Sequence, residues 1–158
     1  MTWEDPALSA TRRRQMSGME FMRAMARGDV PVPPMARLLG FEAAHVEDGR
    51  VVFAGDTGEY LFNPQGTVHG GFAATLLDSA MGCAVHTTLA AGEPYTTLEI
   101  KVSYVRPVAA GVRVRAEGHV VHRGRRIATA EGRLVAERDG RLLAHGTTTC
   151  MILASAER

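Results

Sequence analysis

The sequence predicts an α+β domain in which one long buried helix is wrapped by a curved antiparallel sheet. Two observations predict it. From Phe72 to Val85 the residues are almost all apolar or small, with Asp78 the only charge, and a helix that is hydrophobic all round is a buried one. Downstream, apolar and polar residues alternate through successive segments separated by turn signals, the period-two pattern of strands with one covered face. A long helix set apart from a run of strands belongs to the α+β class.

The elements follow in order. With 158 residues the chain is large enough for one domain with a real core. Residues 1–34 read as an N-terminal helical appendage and proline connector. Met16, Met19, Met22 and Met25 recur every third residue beside Phe21, which predicts a short helix from about Thr11 to Arg27 with an apolar stripe. That stripe packs on the main body, or forms a methionine lid over an apolar pocket. Gly28-Asp29 and Pro31, Pro33 and Pro34 end the helix and stiffen the connector. Residues 35–158 form the main domain. Phe41–Val46 and Arg50–Asp56 are strand candidates joined at Asp48-Gly49, a favoured hairpin turn. The buried helix runs from about Gly70 to Leu89, and Gly92-Glu93-Pro94 stops it. A meander of four strands follows, at Leu98–Tyr104, Val112–Val120, Ile127–Glu137 and Leu142–Ile152, with turns at Arg123-Gly124 and Asp139-Gly140.

Composition narrows the function. There are 18 Lys+Arg against 17 Asp+Glu, a net charge of +1, so nothing recommends nucleic acid as a partner. The longest apolar run falls far short of a membrane span. Arg12-Arg13-Arg14 is not followed by an apolar core and a small-residue cleavage site, so no signal peptide is expected. Cys83 and Cys150 lack metal-ligand spacing and are expected to be buried and reduced, as in a cytoplasmic protein. No metal constellation appears among the six His, and no Walker or Rossmann glycine pattern appears, so no cofactor is expected.

The chemistry concentrates in one segment. Gly70-Gly71 lets the backbone start the helix with free N–H groups at its positive end. Asp78 is a carboxylate on an apolar helix, costly unless paired or functional. An oxyanion donor with a candidate base or nucleophile suits hydrolysis of an acyl compound. Gly70 and Asp78 are about 12 Å apart along a helix axis, too far for one carbonyl and one water to bridge. Two antiparallel helices from neighbouring subunits would set Gly70 of one chain opposite Asp78 of the other. Asn63 orients the attacking water or braces the glycine loop, though Asn-Pro is also a turn dipeptide. His69 hydrogen-bonds the substrate carbonyl or fixes the loop. Arg106, Arg123, Arg125 and Arg126 lie at strand ends and turns, where as a set they could clamp phosphates.

The element order, the spacing Asn63-x5-His69-Gly70-Gly71-x6-Asp78 and the run Tyr104-x-Arg106-Pro107 resemble the hotdog fold, and within it the PaaI-type branch of acyl-CoA thioesterases. The resemblance covers about residues 35–153. A second thioesterase branch carries Glu one position further along the helix; Ser79 stands there in this chain. The resemblance implies hydrolysis of an acyl-CoA or aryl-CoA without a cofactor. Asp78 is then the base or nucleophile, the Gly70 N–H the oxyanion donor, Gly71 a substrate contact, and Thr97 a hydroxyl that helps hold the water or the acid. It further implies a site at a dimer interface, with dimers pairing into a homotetramer, and a coenzyme A moiety whose phosphates the arginines meet.

Two alternatives share the fold. A hotdog enoyl-CoA hydratase or dehydratase wants Asp-x-Asn-Pro-x-His, whereas here Leu61 stands at the first position, the spacing to His69 is longer and Gly-Gly follows. A non-catalytic acyl-CoA-binding module would lack the acid and carry a DNA-binding domain; Asp78 is present and residues 1–34 are too short for one. The identity of the acyl group is not written in the sequence.

Overall fold

The computed structural model describes residues 2–153. Strands β1 (Phe41–Glu47), β2 (Arg50–Asp56), β3 (Tyr95–Tyr104), β4 (Arg113–Arg123), β5 (Ile127–Ala136) and β6 (Leu142–Ile152) form one antiparallel sheet in the order β1-β2-β4-β5-β6-β3. Helices α1 (Pro6–Gln15), α2 (Gly18–Arg27) and α3 (Pro34–Leu39) precede it, and α4 (Gly70–Thr87) lies across one face. The expected four-strand meander is corrected by this order. Only β4, β5 and β6 meander; β2 takes the place beside β4, and β3 pairs with β6 at the far edge. The reason is α4, which follows β2 in the chain, crosses the sheet and delivers β3 to the opposite side.

Helix and sheet meet over a trough of glycines. Gly118 of β4, Gly132 of β5 and Gly146 of β6 are in register across three adjacent strands. A Cβ at Gly118 would stand 2.5 Å from the Ala80 carbonyl oxygen, and one at Gly132 would stand 2.9 Å from Met81 Cγ. No side chain fits there, so α4 settles close to the sheet backbone. Leu76, Leu77, Ala80, Met81, Ala84 and Val85 lose all their accessible surface in this contact. Each fully covered Leu or Met contributes about 1.5–3 kcal/mol. The helix is not buried all round, however. Gly71 is exposed, and Ala74, Thr75, Asp78, Ser79 and Cys83 are half-buried, a stripe at helical spacing that faces away from the core. Its residues are small rather than greasy, which is why the sequence alone overstates its burial.

The N-terminal segment is two helices, not one over residues 11–27. Ser17 breaks it with a capping box: its N–H donates to the Glu20 carboxylate at 2.8 Å, and the Glu20 N–H donates to Ser17 Oγ at 3.3 Å. Phe21, Met22, Ala24 and Met25 of α2 are buried against β1 and α4, whereas α1 buries no residue. Gly18 has no room for a side chain, since a Cβ there would overlap the His86 carbonyl oxygen. Part of the proline connector is helical as well, because Pro34 sits at the first helical position, where its missing N–H costs nothing. No helix among the described residues is long and apolar enough to cross a membrane.

Candidate active site

Asp78 meets Thr97. The half-buried face of α4 looks towards the first residues of β3, and the Thr97 hydroxyl donates to Asp78 Oδ1 at 3.1 Å. Thr75 does not compete, because its hydroxyl donates to the Gly71 carbonyl one turn back at 2.9 Å. Both cysteines are free. Burial, reinforced by the Asp78 carboxylate, pushes the Cys83 thiol up to about 12, and burial also raises Cys150. Neither is a thiolate at neutral pH.

The other end of α4 holds the glycines. His69 caps the helix, its Nδ1 accepting the Gly71 N–H at 2.8 Å, which places the ring proton on Nε2. The Phe72 N–H donates to the His69 carbonyl at 3.0 Å. The Gly70 N–H makes no hydrogen bond among the described residues. It is therefore the donor left available at the positive end of the helix. Tyr104 covers this glycine: its hydroxyl donates to the Gly70 carbonyl at 3.1 Å, and a Cβ at Gly70 would stand 3.1 Å from the ring. A cavity of about 290 Å³ opens here, lined by His69, Gly70, Tyr104, Arg106 and Pro107 among others.

Asn63 works within its own loop. Its Oδ1 accepts the N–H groups of Gln65 at 3.0 Å and Thr67 at 3.2 Å, and its Nδ2 donates to Thr67 Oγ1 at 3.0 Å. Thr67 is the partner that sequence reasoning missed, although Asn-Pro-x-Gly-Thr is a turn signature. The arginines do not form one cluster in the protomer. Arg106 lies beside Gly70 and donates to the Leu142 carbonyl at 2.8 Å. Arg123 sits at the opposite end of the sheet, where it donates to the Gly124 carbonyl and pairs with Glu93 at 3.3 Å. Arg125 and Arg126, in the same turn, are exposed and make no ion pair among the described residues. Strands some 30 Å long separate the two groups, a separation that turn positions in a sequence cannot reveal.

A sheet curled around one helix, with an unengaged N–H at that helix's start and a carboxylate held two turns on, defines a hotdog fold. The sequence model of the Thioesterase superfamily matches residues 65–143, and the chain belongs to this family. Among solved structures, the phenylacetic acid degradation-related protein of Ralstonia eutropha JMP134 is 33% identical with a TM-score of 0.75, covering 82% of this chain and 98% of that one. A mutant of the phenylacetic acid degradation protein PaaI from Thermus thermophilus is 36% identical with a TM-score of 0.70, covering 77% of this chain and 100% of that one. Acyl-coenzyme A thioesterase 13 of Mus musculus is 32% identical over 87 residues, 55% of this chain and 61% of that protein. The chain thus spans less than two thirds of the length of this curated relative.

Proposed function

We propose that the protein hydrolyses an acyl-CoA or aryl-CoA thioester to the free acid and coenzyme A. The observation that carries this reading is the pairing of a carboxylate held by Thr97 with an unengaged Gly70 N–H on the same helix. Asp78 takes a proton from water as the water oxygen attacks the thioester carbonyl carbon. The carbonyl oxygen becomes the oxyanion and is met by the Gly70 N–H. The C–S bond then breaks, and the thiolate of coenzyme A leaves with the proton. His69 and Asn63 keep the glycine loop in shape, and Gly71 lets the substrate approach the backbone. The mouse relative's name, acyl-coenzyme A thioesterase, supports the carrier.

The two half-sites are about 12 Å apart along α4, so we assign the complete site to two chains. β3 is a free sheet edge, with Leu98 and Ile100 exposed on it, and the small half-buried stripe of α4 lies beside it. Pairing two copies antiparallel through these surfaces covers the edge and sets Gly70 of one copy against Asp78 of its mate. The same pairing carries Arg106 of one chain towards the Arg123–Arg126 turn of the other, which would assemble the phosphate clamp. Residues 35–158 form the catalytic unit in this reading, residues 1–34 an appendage, and such dimers pair again into tetramers.

The test is thiol release across aliphatic and aromatic acyl-CoAs. Asp78→Asn should lower kcat by about 10²–10⁴ with KM nearly kept, and wild-type turnover in that variant would sink the assignment. Mixing Asp78→Asn chains with Gly70→Pro chains, which lack the N–H donor, should restore activity in verified heterodimers, because one of the two sites is then intact. Absence of any rescue would put the whole site in one chain.

A further inference from the structure

Beneath α1 and α2, just past Asp78 along α4, lies a cavity of about 310 Å³ that the hydrolytic chemistry leaves unused. Apolar residues of the N-terminal segment, Phe21, Met22 and Val32 among them, form its walls. His86 and Tyr95 line it from α4 and β3. Its place follows from strand geometry. Tyr95 and Thr97 are two residues apart in β3 and share a face. Thr97 meets Asp78, and Tyr95 meets the next turns of the same helix, its hydroxyl 3.5 Å from where a Gly82 Cβ would stand and its ring 5.4 Å from His86. Asp78 to His86 is about 12 Å along the helix, the reach of a medium-length acyl chain.

The chamber is largely apolar, with Glu4, Ser9 and Arg13 of the N-terminal segment also on its lining, and His86 is the polar ring that α4 contributes. It is only 5% exposed, and it packs between Phe21 at 5.5 Å and Tyr95 at 5.4 Å, both rings tilted against it. Its ring nitrogens make no hydrogen bond among the described residues, and they keep a little accessible surface where the ring lines the cavity. Burial pushes its pKa down to about 4, with the Arg13 charge adding to the effect. At neutral pH the ring is therefore uncharged, with one donor and one acceptor to offer. A polar group with no protein partner in a largely apolar pocket favours a ligand that completes its hydrogen bond over one that cannot.

We propose that this cavity receives the far end of the acyl group, and that His86 selects tails ending in a neutral hydrogen-bonding group such as a hydroxyl. The assignment rests on the thioesterase reading, since it makes Asp78 the point from which the tail extends. The N-terminal segment thereby helps to set specificity, closing a pocket that α4 and β3 alone leave open.

The test compares butanoyl-CoA, nonanoyl-CoA and ω-hydroxyoctanoyl-CoA, the last two being equal in length. The wild type should favour the hydroxylated tail about fivefold in kcat/KM, the value of one hydrogen bond. His86→Phe keeps a ring packed between Phe21 and Tyr95 and should abolish that preference. Ser9→Trp, which fills the cavity from α1, should raise KM for both long substrates about tenfold while butanoyl-CoA stays within about twofold. Hydrolysis with no hydroxyl preference in the wild type, or with a long-tail profile unmoved by Ser9→Trp, would overturn the pocket assignment alone. No turnover of any of the three by the wild type would overturn this assignment, and the hydrolase reading falls with it only if the same protein also releases no thiol from an aromatic acyl-CoA.

Discussion

Thr97 Oγ1 donates to Asp78 Oδ1 at 3.1 Å, tying the edge strand β3 to the open stripe of α4. The bond occupies one carboxylate oxygen and fixes the group's rotation, so the second oxygen has a defined direction from which to take a proton. A carboxylate on an otherwise apolar helix thereby gains the orientation that general-base work requires.

Thr97 should therefore behave as a positioning residue. Thr97→Val keeps the shape and deletes the donor, and a hydrogen bond to a charged group is worth about 1.5–3 kcal/mol. The expected result is a kcat lowered about 10–100-fold with KM nearly unchanged, and recovery of most of that loss in Thr97→Ser. A serine variant no better than the valine one would show that the methyl group's packing, not the hydroxyl, is what matters.

The exposed pair Arg125 and Arg126 should act on the nucleotide end of the substrate. Their double alanine variant should raise KM for acyl-CoA about 3–10-fold, since charge-assisted contacts at an exposed portal are weaker than buried ones. Turnover at saturation should hold, because phosphate binding is alike in ground and transition states. An acyl-pantetheine, which lacks the nucleotide, should be cleaved equally by both proteins. Equal impairment on both substrates would assign these arginines to the fold or to a subunit contact.

The fold and the site were legible to different depths. The Gly70-Gly71 start and the solitary Asp78 stand within nine residues of one another, so local sequence displays both. The position of each strand was visible in its alternation, but the place of β3 beside β6 was not, because the crossing of α4 decides it. Thr97 came only from resemblance to a family; a threonine at a strand start carries no mark of the helix it will face. The arginines looked like a set since turns alone do not say which end of a sheet they occupy. The Ser17–Glu20 capping box was readable and was hidden by the methionine stripe that runs through it.

The glycine trough predicts where the fold is least tolerant. Gly118→Ala brings a Cβ to 2.5 Å from the Ala80 carbonyl oxygen, with no flexible side chain there to yield. The helix must lift or the strand must bend, at about 3 kcal/mol, which in a domain of this size lowers Tm by about 6–12 °C. A Tm within about 1 °C of the wild type would mean that α4 rides freely on the sheet.

His86 should make stability depend on pH, and the sign follows from its burial. Its folded pKa is lowered from 6.5 to about 4, chiefly by burial and secondarily by the Arg13 charge. Between those values the unfolded chain holds the proton and the folded chain does not. Stability therefore rises with pH across this window and is lost as pH falls from about 6.5 to about 4; below that both states are protonated and the loss levels off. At about 1.4 kcal/mol per unit, the shift limits the loss to about 3 kcal/mol. In His86→Phe the ring still packs between Phe21 and Tyr95 but binds no proton. The Tm difference between wild type and variant should thus move steadily in the variant's favour as pH is lowered through the window. Parallel Tm curves from pH 7 to pH 4 would show that the imidazole takes up its proton without cost, and that the chamber under α1 and α2 is wet.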